Sequence, residues 1–108
     1  MNQPIWVLVN CNSLEEAKNI GDAVLKARLI SCYDVFRREV ARYFWPPRSG
    51  KIEEAKGALL IMETFEDKYQ MVKDLATMLH SDKLPFIGFV KIEGVDEKYI
   101  DWMRKELK

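Results

Sequence analysis

One stretch limits what this chain can become more than any other: Val40 to Thr64, VARYFWPPRSGKIEEAKGALLIMET. Two arms rich in aromatic and aliphatic residues flank Pro46-Pro47-Arg48-Ser49-Gly50, a composition that turns the chain back on itself. If the first arm begins near Cys32, each arm has roughly a dozen residues and, at about 3.3 Å per residue, a reach of roughly 40 Å. A domain of this size has a radius of gyration of about 13 Å. The hairpin therefore outreaches its own body. Its aromatic end, Tyr43-Phe44-Trp45, needs a surface to pack on, because an apolar strand edge left open invites association. Another copy of the chain is the economical partner, so an oligomer is expected.

The rest of the chain supplies the body. Ile5-Trp6-Val7-Leu8-Val9 is a short unbroken apolar run, the pattern of a central strand covered on both faces. Ser13 followed by Glu16 is a capping box. Leu14, Ala17, Ile20, Gly21, Val24 and Leu25 then repeat at helical spacing as far as about Arg28. A second strand starts at Cys32, is broken by the polar Arg37-Arg38-Glu39 at an expected bulge or bend, and runs on to Trp45. A third spans Ile52 to Glu63. Thr64, with Asp67 three residues on, is expected to cap a second helix along Tyr69, Val72, Leu75, Ala76 and Leu79. After the His80-Ser81-Asp82-Lys83 loop, Leu84 to Glu93 reads as the fourth strand. Asp96 caps a last helix carrying Tyr99, Ile100, Met103 and Leu107.

That order, βαββαβ plus a terminal helix, specifies an α+β, ferredoxin-like sandwich with a long hairpin between its second and third strands. Residues 1–108 make one domain. Right-handed crossovers place the first and third strands in the middle of an antiparallel sheet, with both core helices on one face. The opposite face is left for the last helix or for another subunit. The topology also sorts the reactive side chains. Cys11, His80 and Asp82 fall at one end of the sheet, and Cys32 and Glu63 at the other. A Cys11–Cys32 disulfide, which needs Cα atoms within roughly 7 Å, is not expected. Nor is one chain expected to share a metal between Cys11 and Cys32, although a second subunit could change that.

With 17 Lys plus Arg against 17 Asp plus Glu, the formal charge is zero, and no general attraction to nucleic acid or an anionic membrane is expected. The Ile5–Val9 run is too short for a membrane span or a signal-peptide core. Two cysteines without an export signal suit the reducing cytoplasm. There is no Gly-x-Ser-x-Gly elbow, no glycine-rich phosphate loop and no cysteine beside a histidine, so no enzyme is expected. No close-spaced Cys or His pair marks a metal site. Cys32, in Leu29-Ile30-Ser31-Cys32-Tyr33, reads as an inert buried thiol or a soft-metal ligand. His80 with Asp82 reads as a ligand pair or a solvated loop. Tyr43-Phe44-Trp45 reads as interface packing rather than a base-stacking platform.

The chain resembles the CutA-type divalent-cation tolerance proteins from about Val7 to Leu107. The resemblance is carried by Val24 to Cys32, Tyr43-Phe44-Trp45 with Gly50-Lys51-Ile52-Glu53, Thr64, His80 with Pro85, and Tyr99 to Trp102. It implies a homotrimer whose hairpins pair between subunits around Tyr43, Phe44 and Trp45. It also implies tolerance of copper or another divalent cation through metal binding, with Cys32, His80 and Asp82 as donors, or PII-like signalling. A small-molecule sensor or a scaffold without a metal site is the alternative. No cofactor is required. The chain departs from the family pattern at Pro46 to Ser49, at Glu63 where a lysine is usual, at Ser81-Asp82 and at Phe86.

Overall fold

The computed structural model describes residues 2–108. The elements run β1 (Pro4–Cys11), α1 (Leu14–Lys26), β2 (Cys32–Phe44), β3 (Ile52–Phe65), a 3-10 turn (Glu66–Lys68), α2 (Tyr69–Leu79), β4 (Ile87–Lys91) and α3 (Glu97–Glu106). The four strands form one antiparallel sheet in the order β2-β3-β1-β4. This is the ferredoxin-like arrangement, with β3 and β1 central as the crossover rule requires.

Alternation along the central strands builds the core. Ile5, Val7, Val9 and Cys11 of β1 and Ala58, Leu60 and Met62 of β3 point to one face and are buried. They pack with Ala17, Ile20 and Val24 of α1 and Val72 and Ala76 of α2. Ser13 caps α1, its hydroxyl accepting from the Glu16 N–H at 3.0 Å. Asp96 caps α3 by accepting from the Lys98 N–H. The expected bulge is present, as the β2–β3 register shifts between Arg38 and Ala41. The hairpin stretches the molecule to 49 × 26 × 22 Å, and the radius of gyration is 15.1 Å.

Several expectations need correction. The first strand is central but covered on one face only: Trp6 stays 39% exposed, and helix cover on its side comes from α3 at one end of the sheet. Thr64 is not a helix cap. It stays in β3, and its hydroxyl donates to the Leu29 carbonyl at 2.6 Å, anchoring the α1–β2 connection. The chain then passes through the 3-10 turn, and α2 begins only at Tyr69, without a side-chain cap. The fourth strand spans Ile87–Lys91 rather than Leu84 to Glu93. Pro85 has no N–H to give a ladder, so pairing cannot run through it. The second strand ends at Phe44; Trp45 N–H instead closes the hairpin tip by donating to the Lys51 carbonyl at 3.0 Å.

Candidate metal centre

The outer face of the sheet carries a short row of side chains across three strands. Glu63 of β3 faces Trp6 on one side and Cys32 of β2 on the other. Asp34 lies two residues beyond Cys32, on the same face because side chains alternate along a strand. The Cys32 Sγ and one carboxylate oxygen each of Asp34 and Glu63 lie within 4.8 Å of one another. Cys32 and Glu63 are half-buried and Asp34 is exposed. None of the ion pairs among the described residues involves Asp34 or Glu63. Burial, then the charges of Glu63 and Asp34, push the Cys32 thiol above its ordinary value. Glu63 Oε1 accepts from the Tyr99 hydroxyl at 2.6 Å, and this ties α3 to the row. The arrangement is a thiol with two carboxylates that have no ion-pair partner among the described residues.

A second set lies at the other end of the sheet and on its inner face. Sγ of Cys11, a carboxylate oxygen of Glu16 and a ring nitrogen of His80 also lie within 4.8 Å of one another. Here the donor atoms are already engaged. His80 Nε2 sits 2.7 Å from the Asn10 carbonyl, and Nδ1 accepts from the Asp82 N–H at 3.0 Å. That pairing makes the neutral ring with its proton on Nε2 the consistent tautomer. Glu16 Oε1 accepts from the Asn12 N–H at 2.9 Å and Oε2 from the Ser81 N–H at 2.8 Å. Burial alone would raise the Glu16 carboxyl, but those hydrogen bonds hold it below its usual value. Burial foremost pushes the Cys11 thiol up to about 12. The set acts as a polar knot that closes the loop after α2 onto the start of α1.

Within one chain, Cys32 is therefore apart from His80 and Asp82, at opposite ends of the sheet as the topology requires. His80 is buried, not part of a solvated loop. Asp82 reaches Asn12 Nδ2 at 3.1 Å and contributes its backbone N–H to His80. Both cysteines are free. The residues that sequence reasoning missed were Asp34 and Glu16. Asp34 had a signal, the two-residue strand spacing from Cys32. The second role of Glu16 had none, since its partner Ser81 is 65 positions away. Tyr43, Phe44 and Trp45 are exposed along the hairpin, at 46, 72 and 57%.

Known proteins share this fold over nearly the whole chain. The family model for the CutA1 divalent ion tolerance protein matches residues 5–106. The chain belongs to the CutA1 family. A CutA relative from Pyrococcus horikoshii, named a divalent-cation tolerance protein, is 35% identical over 94 residues, covering 87% of this chain and 88% of its own. The one from Archaeoglobus fulgidus is 31% identical over 98 residues, covering 91% and 92%. Among solved structures, the A. fulgidus CutA, described as a periplasmic divalent cation tolerance protein, superposes with a TM-score of 0.89 at 28% identity, covering 97% of this chain and 99% of that one. CutA1 from P. horikoshii does so with a TM-score of 0.87 at 32% identity, covering 96% and 98%.

Proposed function

We propose that this CutA1-family chain serves divalent-cation tolerance by binding the ion itself, at Cys32, Asp34 and Glu63, as a cytoplasmic homotrimer. The observation that carries this reading is the convergence of one thiol and two carboxylates that form no ion pair among the described residues. A bound cation would relieve that repulsion and favour the thiolate. A thiolate beside carboxylates suits a borderline ion, and copper heads the affinity order of first-row divalent metals, so Cu2+ is the first ion to test. His80 and Asp82 are left out of this donor set, because both ring nitrogens of His80 already serve the fold.

The trimer is supported by the exposed aromatics Tyr43, Phe44 and Trp45 on a hairpin that projects beyond the body. Light scattering is expected to return the mass of three chains at micromolar concentration, and a monomer would refute the assembly. The metal reading is tested by calorimetry with Cu2+ and Zn2+. Cys32→Ala is expected to lower affinity at least about tenfold, while Cys11→Ala leaves it within about twofold. The reverse pattern would move the site to the other end of the sheet.

A second reading, signalling in the manner of the PII proteins, is favoured by a cavity of about 400 Å³ beside α3, where a small effector would fit. A thermal-shift screen on metal-free protein separates the two readings, since a selective ligand raises the apparent melting temperature.

A further inference from the structure

We infer that the cavity between the outer sheet face and α3 is a binding site for a small organic ammonium ion with an aliphatic body. This names the ligand class for the small-molecule reading; it shares Glu63 with the metal reading, and Trp6 and Cys32 tell the two apart. The cavity, about 400 Å³, has apolar walls that include Ile92, Val95 and Met103. Trp6 and Tyr99 also line it, each about two-fifths exposed. The charged groups in its wall are two carboxylates, Glu63 and Asp96, and no described Lys, Arg or His lines it. Asp96 is occupied as the cap of α3. Glu63 gives Oε1 to the Tyr99 hydroxyl, and no hydrogen bond to its Oε2 is found among the described residues.

Each feature selects against other ligand classes. An anion would meet two carboxylates and no counter-charge. A neutral apolar molecule would cover the Glu63 carboxylate without pairing it, which is unfavourable. A metal ion is drawn to the β2 side of Glu63, where Cys32 and Asp34 lie, whereas this cavity lies on the β1 side, where Trp6 lies. An alkylammonium satisfies all three demands. Its charge pairs with Glu63 and faces the aromatic rings, and its chain occupies the apolar wall.

The test is an NMR and calorimetric titration of the full chain with n-butylammonium, against butyrate and 1-pentanol as anionic and neutral probes of similar size. Only n-butylammonium is expected to bind, with shifts concentrated at the Trp6 indole N–H and the amides of Glu63 and Tyr99. That map is read on unaltered protein, so it does not depend on any variant folding. Glu63→Gln is expected to weaken binding at least about tenfold and Trp6→Leu several-fold. Cys32→Ser is expected to leave n-butylammonium binding unchanged while lowering Cu2+ affinity, and Trp6→Leu to do the opposite, so the two proposals fail separately. Equal binding of 1-pentanol would overturn the ammonium assignment while keeping a small-molecule site. Shifts remote from Glu63, or no binding by any probe, would overturn the site itself. A cavity filled by a second copy of the chain would show as no binding by any probe, together with a change of oligomeric state in Trp6→Leu.

Discussion

Tyr99 donates its hydroxyl to Glu63 Oε1 across 2.6 Å, and through this bond α3 is fastened to one end of the sheet's outer face. The hydrogen bond to Glu63, then burial, then the carboxylate charge hold the Tyr99 phenol above its ordinary value. The folded state therefore favours the protonated phenol. Its contribution is fully present below the unfolded pKa of about 10 and is lost as pH rises beyond it.

Tyr99→Phe is accordingly expected to cost about 1 kcal/mol at pH 7, the usual net value of one hydrogen bond. The deficit is expected to shrink at strongly alkaline pH, where the native tyrosine loses its advantage. Urea unfolding at pH 7 and above pH 10 checks both parts. A deficit that stays constant over that range would contradict the coupling.

Glu16 titrates in the opposite sense. Its folded pKa is depressed, so its contribution is present above the unfolded value of about 4.3 and is lost as pH falls through the folded one. Glu16→Gln is expected to destabilise by about 1–3 kcal/mol at neutral pH, since the Asn12 and Ser81 N–H groups lose charged acceptors. The variant and the native chain are expected to converge below about pH 4, as followed by far-UV circular dichroism during acid unfolding.

The two cysteines are expected to differ in reactivity. Cys11 is fully buried with its thiol pushed up to about 12, whereas Cys32 is part-exposed and less protected. Iodoacetamide is expected to modify one thiol per native chain, at Cys32, with a rate that rises through alkaline pH. Cys11 reacts only after denaturation. Mass mapping of the labelled peptide distinguishes them, and added Cu2+ is expected to slow labelling if Cys32 is a donor.

Gly57 sits opposite Arg38, just before the bulge. A Cβ there would lie 2.5 Å from the Cys11 carbonyl oxygen and also strike the Arg38 guanidinium. Gly57→Ala is expected to cost about 1–3 kcal/mol by overpacking, read as a lowered midpoint in denaturant. Adding Arg38→Ala is expected to restore only part of the loss. The arginine can move away, but the β1 carbonyl cannot.

Much of this molecule was set by its sequence alone. The apolar spacing of Leu14 to Val24, the Ser13 cap and the Asp96 cap are local, each resting on residues within about four positions, and the chain obeys them. The polar break at Arg37 to Glu39 marked the bulge, and the order of strands and helices was enough to put Cys32 with Glu63 at one end and Cys11 with His80 at the other. Tertiary structure decided the remainder. Thr64 had the local signature of a cap, but the Leu29 carbonyl, 35 positions away, keeps it in β3. His80 carried no periodic signal of burial; Asn10 and Asp82 supply the partners that make its burial tolerable. Asp34 joins Cys32 and Glu63 only because the β2–β3 register and the strand pleat place all three on one face. Local pattern specifies elements through near neighbours in the chain, whereas a site is a convergence across strands, determined by register and by the face each strand presents.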